Sequence, residues 1–128
     1  MYDDNADVTF VLERMLAKLG AKSYIAYDSE NLIKLIDNFK SNNIVPNVFI
    51  LDLILPGDLG GDELIYQIKD NFSNSYCIVS SGFSDNVITE KFSNYGFDDV
   101  LRKPYTMNDL QKVLFTNYQN YVIKNQVE

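Results

Sequence analysis

The sequence predicts an α/β fold, a parallel sheet with helices on both faces. Short apolar runs bounded by turn residues recur along the chain and read as buried strands; Val48 to Leu53 and Tyr76 to Ser80 are the clearest. Between them lie segments whose apolar residues fall at helical spacing. Strands alternating with helices give a parallel sheet, because each crossover helix packs back on the sheet it leaves.

The elements follow in order. Asp7 to Leu19 carries Val8, Val11, Leu12, Met15, Leu16 and Leu19 at helical spacing, and Gly20 is a stop signal. Ser23 to Tyr27 reads as a short strand. Ser29 is expected to cap a helix through about Lys40, with Leu32, Ile33, Leu35, Ile36 and Phe39 on its apolar side. Val48 to Leu53 is a buried strand that ends beside Asp52, and a Pro-Gly turn follows at Pro56-Gly57. A glycine-rich loop, Gly57 to Gly61, precedes a helix over Asp62 to Asn71. Tyr76 to Ser80 is the next strand, about Asp85 to Tyr95 a helix, and Phe97 to Leu101 a short strand. Lys103-Pro104 breaks the chain, and Asn108 to about Ile123 closes it as a helix.

Composition narrows the function. At 128 residues the chain is read as one domain, residues 1–128, long enough for a real core. A net charge of −7 argues against a nucleic-acid surface. No apolar run approaches the roughly 18 residues of a membrane span, and no secretory signal is visible, so a cytoplasmic domain without membrane contact is expected. The one cysteine, Cys77, sits in an apolar run and reads as a core residue. There is no histidine, which excludes His-based catalysis and His metal sites in this chain.

Asp52 is the residue that needs explaining. A carboxylate where a buried strand surfaces is costly unless a cation or donors satisfy it. Open α/β sheets carry their sites at the carboxyl ends of strands. Three further features fall where loops follow strands or where the first helix begins: the adjacent acids Asp3 and Asp4, Ser81, and Lys103. Each alone has an ordinary reading, as a helix cap, a turn residue or a solvated lysine. Together they give three carboxylates, a hydroxyl and an ammonium on one edge of one sheet. Mg²⁺ takes one or two carboxylates with waters and phosphate oxygens. A carboxylate can also attack phosphorus, provided the equatorial oxygens of the transferring group are neutralised.

The pattern Asp3-Asp4, then "VFILDLILPG", "CIVSSG" and "LRKP", resembles the receiver domain of two-component response regulators, from Asp3 to about Leu114. The resemblance implies a doubly wound, flavodoxin-like, five-stranded sheet in order 2-1-3-4-5. It implies that Asp52 accepts phosphate from the phosphohistidine of a histidine kinase or histidine phosphotransfer protein. It further implies that Asp3, Asp4, Asp52 and the backbone carbonyl of Ile54 hold Mg²⁺, that Ser81 follows the phosphate, and that Lys103 pairs with it across a cis Lys103-Pro104 bond. The stretches "LPGDLGGDEL", "IVSSGFSD" and "YGFDDVLRKPYTMNDL" look most like the C-terminal receivers of hybrid sensor histidine kinases. Self-association is compatible with such a domain, and output is expected through another protein or domain rather than through DNA.

The chain also departs from that pattern. At most Met1 and Tyr2 stand where the family has a central first strand, so this strand is expected to be truncated or missing, and unpaired backbone in a core is costly. Three readings stay open: the sequence starts downstream of the natural start, which we favour; another chain or a swapped segment fills the slot; or the domain is degenerate. Val100 stands three residues before Lys103, where the family often has an aromatic switch residue, and a valine has little reach.

Rival readings rest on the same residues. A haloacid-dehalogenase-like phosphatase needs an aspartate where Ile54 stands, and a flavodoxin-like cofactor binder needs a Ser/Thr/Gly loop where Asp3-Asp4-Asn5 stand. A phosphorylation-independent interaction module with the same fold is the serious alternative. In the family the attacking water is flanked by the residues two after the phosphoacceptor and two after the hydroxyl, here Ile54 and Phe83. Neither can orient water, so slow self-dephosphorylation is expected. A phosphoprotein that decays within seconds in a time course would contradict it.

Overall fold

The computed structural model describes residues 1–53, 57–82 and 91–126. Helices α1 (Ala6–Lys18) and α2 (Ser29–Ser41) come first, then strand β1 (Val48–Asp52), helix α3 (Gly61–Asn71) and strand β2 (Tyr76–Ser81). A 3₁₀ turn (Phe92–Tyr95) leads to strand β3 (Asp99–Arg102). Helix α4 (Met107–Gln111) runs through a π-helical segment (Lys112–Asn117) into α5 (Tyr118–Gln126). The predicted helix over 85–95 lies largely outside the described residues; its end is the 3₁₀ turn. Among the described residues no helix is long and apolar enough to cross a membrane.

The sheet is parallel, in order β1-β2-β3, with Val48 opposite Tyr76 and Ile78 opposite Asp99. Two isolated parallel bridges extend it: Tyr2 lies between Ala26 on one side and Leu51 on the other. The order across the structure is therefore the expected 2-1-3-4-5, but the first two strands are reduced to single bridged residues. The expected strand over Ser23 to Tyr27 forms only at Ala26. The reason is local: a strand needs a neighbour to bond to, and Tyr2 is the neighbour's only bridged residue.

Alternation along the strands builds two cores. Phe49, Leu51, Cys77 and Val79 face one side and pack with Leu32, Ile36 and Phe39 of α2 and Leu64, Ile65 and Ile68 of α3. Ile50, Tyr76 and Ile78 face the other, against Leu12 and Leu16 of α1 and Leu110 and Val113 near the C-terminus. Strands buried on both faces read as continuous apolar runs, which is why β1 and β2 were legible. Burial pushes the Cys77 thiol up to about 12, as fits a core cysteine.

The caps fix the loops. Asn5 accepts from the Asp7 and Val8 amides and starts α1. The cap of α2 is Asp28, whose side chain accepts from Asn31 N–H, rather than Ser29. Ser29 is the first helical residue; its amide and hydroxyl both donate to Asp58 in the loop after β1. Those two bonds, with another from the Leu59 amide, hold the Asp58 carboxyl below its usual range. The Tyr2 hydroxyl donates to the Leu59 carbonyl at 2.6 Å, so the same loop is tied to the N-terminus.

Gly60 and Gly61 let this loop pass under the end of β1. A Cβ at Gly60 would collide with the Leu53 carbonyl, and one at Gly61 would lie 2.8 Å from the Asp52 carbonyl. Gly60→Ala is therefore expected to lower stability by about 2 kcal/mol, in the range of overpacking. Gly82→Ala, where a Cβ meets nothing within 4 Å, serves as the neutral comparison in urea denaturation.

Candidate functional site

The carboxyl edge of the sheet gathers the predicted residues. Asp3 follows the bridged Tyr2, Asp52 ends β1, Ser81 ends β2 (one residue further than predicted), and Lys103 follows β3. Backbone bonds set these positions. Asp52 N–H donates to the Tyr2 carbonyl at 2.8 Å, Asp3 N–H to the Ala26 carbonyl at 3.1 Å, and Lys103 N–H to the Ser81 carbonyl at 2.7 Å. Four chain segments are thus held in one register at the level of the site.

The side chains converge there. Lys103 Nζ donates to Asp3 Oδ2 at 2.7 Å and lies 3.4 Å from Asp52 Oδ2. Asp3 Oδ1 accepts from the Asn5 amide at 2.9 Å, just ahead of α1. One oxygen each from Asp3, Asp4 and Asp52 lies within 4.8 Å of the others. Asp3 is buried, Asp52 partly buried and Asp4 exposed, so the cluster opens to solvent on the Asp4 side. The Lys103-Pro104 bond is cis. Burial alone would lower the Lys103 ammonium, but the Asp3 hydrogen bond and the Asp52 charge outweigh it and hold it above its usual range.

The site has an unsatisfied member. Ser81 Oγ is fully buried and has no hydrogen-bond partner among the described residues. A buried hydroxyl without a partner costs about 1–3 kcal/mol, and such groups collect where a ligand supplies the missing bond. Ionised, the three carboxylates against one ammonium leave a local charge of about −2. An oxygen-ligand set of that charge fits a divalent cation such as Mg²⁺, and the orphan hydroxyl fits an anionic oxygen brought to the same edge.

The expectations divide accordingly. Asp3, Asp4, Asp52 and Lys103 are brought together; Ser81 is adjacent to them through the Lys103 backbone, but its hydroxyl makes no hydrogen bond among the described residues. Ile54 and Phe83 lie outside the described residues. Val100 is a β3 residue packed against the core, with no aromatic ring to swing. Tyr105 was not assigned a place in the site. Its phenol is pushed up to about 12, first by burial and then by the charges of Asp3 and Asp52. The only sequence signal for it is its position directly after Pro104.

An open groove of about 540 Å³ adjoins the cluster. Val8, Val11, Leu12 and Met15 of α1 form one wall, and Pro104 and Tyr105 the other, with Lys103 at its end. Val11 and its neighbour Phe10 are more than half exposed. Helix α1 turns Leu12 and Leu16 to the sheet and leaves this apolar edge to the groove.

Comparison with known proteins agrees with this fold. The response regulator receiver domain family matches residues 1–115. NtrX from Brucella abortus, crystallised with ATP, superposes with a TM-score of 0.85 at 23% identity, over 98% of this chain and 28% of that one. This chain thus spans little more than a quarter of NtrX. A response regulator receiver domain protein from Clostridium thermocellum gives 0.79 at 22% identity, covering 98% of this chain and 94% of that one. A response regulator from Burkholderia pseudomallei, solved with a phosphorylated aspartic acid, calcium and citrate, gives 0.76 at 22% identity, over 98% and 71%. These likenesses are of fold. The family match runs from Met1 past β3 and takes in all four clustered side chains, and on it the chain belongs to the response regulator receiver domain family.

Proposed function

We propose that this receiver domain accepts a phosphoryl group on Asp52 from the phosphohistidine of a histidine kinase or phosphotransfer protein. The observation that carries the reading is the Asp52 carboxylate 3.4 Å from Lys103 and grouped with Asp3 and Asp4 at the sheet edge. In the transfer, an Asp52 oxygen forms a bond to phosphorus as the phosphorus–nitrogen bond of the donor breaks. The bonding pair returns to the donor imidazole. Lys103 stands where it would neutralise an equatorial oxygen, and the Ser81 hydroxyl would gain the partner it lacks.

Asp3, Asp4 and Asp52 would hold Mg²⁺, with the Ile54 carbonyl as a further ligand that lies outside the described residues. When bound, the ion supplies charge neutralisation for the transferring group. Lys103 keeps Asp3 and Asp52 from repelling each other before it arrives. Phosphorylation then recruits Ser81 and biases the loop that follows it, which alters docking. A signalling domain of this kind belongs in the cytoplasm, acts on protein partners, and is compatible with a place at the C-terminus of a hybrid kinase. We read residues 1–128 as one such domain.

The groove beside the cluster supports a helical donor. It is apolar, open, and leads to Lys103, so a helix carrying the phosphohistidine could lie along α1 with its imidazole at Asp52. The interaction-module alternative drew on the short first strand, yet Asp3 still reaches Lys103.

Two measurements follow. Intact mass after incubation with acetyl phosphate and Mg²⁺ is expected to show one phosphoryl increment in the parent and none in Asp52→Asn; no increment in either would contradict the proposal. Val11→Glu, on the groove wall, is expected to slow transfer from a phosphohistidine protein about tenfold, a loss typical of a modest interface contact, with labelling by acetyl phosphate unchanged. Equal slowing with both donors would place Val11 in folding rather than docking.

A further inference from the structure

The loop after β1 is held by one of its own carboxylates. An α-helix leaves its first amides without partners inside the helix. In α2 the Asp28 side chain satisfies Asn31, and Asp58 Oδ2 accepts from the Ser29 amide at 2.8 Å. Asp58 Oδ1 accepts from the Ser29 hydroxyl and from the Leu59 amide, the latter at 2.7 Å. An ionised carboxylate is an acceptor-only group and suits all three donors at once. Its charge is also favoured beside a helix N-terminus. The latch joins residues 29 apart in sequence, the first turn of α2 and the loop.

Two contacts pass this constraint on to the site. The Leu59 carbonyl, next to Asp58, accepts from the Tyr2 hydroxyl at 2.6 Å, and the Tyr2 backbone carbonyl accepts from the Asp52 amide at 2.8 Å. The chain then returns to the end of β1. Gly60 and Gly61 approach the Leu53 and Asp52 carbonyls so closely that neither has room for a Cβ. The loop therefore lies against the Asp52 backbone and reaches it a second time through Tyr2. The cluster itself is Asp3, Asp4 and Asp52, so Asp58 acts on it from outside.

We infer that Asp58 is a positioning residue for the phosphoacceptor: latched to the first turn of α2, it holds the loop against Asp52 and keeps that carboxylate in place at the sheet edge, an assignment that rests on reading Asp52 as the phosphoacceptor. Asparagine at 58 is the discriminating change. It keeps the size of the side chain, but it must turn an NH₂ group toward the Ser29 amide or toward the Leu59 amide. The Asp28 cap of α2 remains, so the loss falls on the loop. A plain helix cap stabilises the fold as a whole. A positioning residue acts first on the end of β1.

The test is amide hydrogen exchange without metal in the parent, Asp58→Asn, Ser29→Ala and the double variant. The Asp52 amide reports the end of β1, and the Ile78 amide, inside β2 and paired on both sides, reports opening of the whole fold. Asp58→Asn is expected to speed exchange at Asp52 about tenfold, the size of a lost bond to a charged group, and to leave Ile78 unchanged. Ser29→Ala keeps the amide bond, so its effect is expected to be smaller. The double variant is expected to match Asp58→Asn alone, as for two members of one latch. Equal acceleration at Asp52 and Ile78 would make Asp58 a stabilising cap and overturn the inference. So would an unchanged Asp52 amide, or additive effects in the double variant. A Mg²⁺ titration of parent and Asp58→Asn is the second readout. A dissociation constant raised about tenfold is expected, as for a group that orients a metal ligand from outside, and equal affinities would overturn the inference. Failure of the phosphoacceptor reading shows separately, as a parent that acetyl phosphate does not label.

Discussion

One residue's backbone carries the sheet across its middle. Tyr2 N–H donates to the Ile50 carbonyl, and the Tyr2 carbonyl accepts from Asp52. On the other side Ala26 bonds to the residues flanking Tyr2, its amide to Met1 and its carbonyl to Asp3. The two carboxylates Asp3 and Asp52 are therefore positioned by main-chain ladder bonds and not by their own side-chain packing. The buried Tyr2 ring adds the pin to Leu59, which holds the loop after β1. Everything at the site depends on this one bridged residue staying in register, since a slip of one position would turn Asp3 away.

The electrostatics follow from that geometry. Three carboxylates are gathered at the open end of the sheet with one lysine among them. Such an arrangement is not the cheapest way to stabilise a fold, because partly buried ion pairs return little over their desolvation cost. It is the arrangement expected where a divalent cation and an anionic group are to be bound. A second charged latch, Lys69 with Asp98 at 2.8 Å, ties α3 to the start of β3 and has a different character. Lys69 also donates to the Ser75 carbonyl and Asp98 accepts from the Cys77 amide, so its partners are satisfied within the fold. Among the described residues the Ser81 hydroxyl has no such partner, and that contrast separates a structural pair from a site in waiting.

Much of this was legible in the sequence because it rests on periodicity and position. β1 and β2 are apolar on both faces, and the helices carry their apolar stripes. The order Asp3-Asp4, Asp52, Ser81, Lys103 marks successive strand ends. What the sequence did not show depends on partners distant in the chain. The Ser23 to Tyr27 segment has strand composition, but only Ala26 is bridged, held by the backbone of Met1 and Asp3 on either side of Tyr2. Ser29 has the chemistry of a cap, yet Asp28 takes that place and Ser29 is claimed by Asp58 across a gap of 29 residues. The π-helical segment near the C-terminus ends at Asn117, which donates to the buried Asp99 shared with Tyr76, and no local pattern announces that network.

The central claim is that the Tyr2 bridge holds Asp3 in working register with Asp52. A Mg²⁺ titration followed by backbone amide NMR shifts tests it most directly. The account predicts that Asp3, Asp4 and Asp52 shift together along one saturable curve. Shifts at Asp52 alone, or none at any of the three, would contradict it.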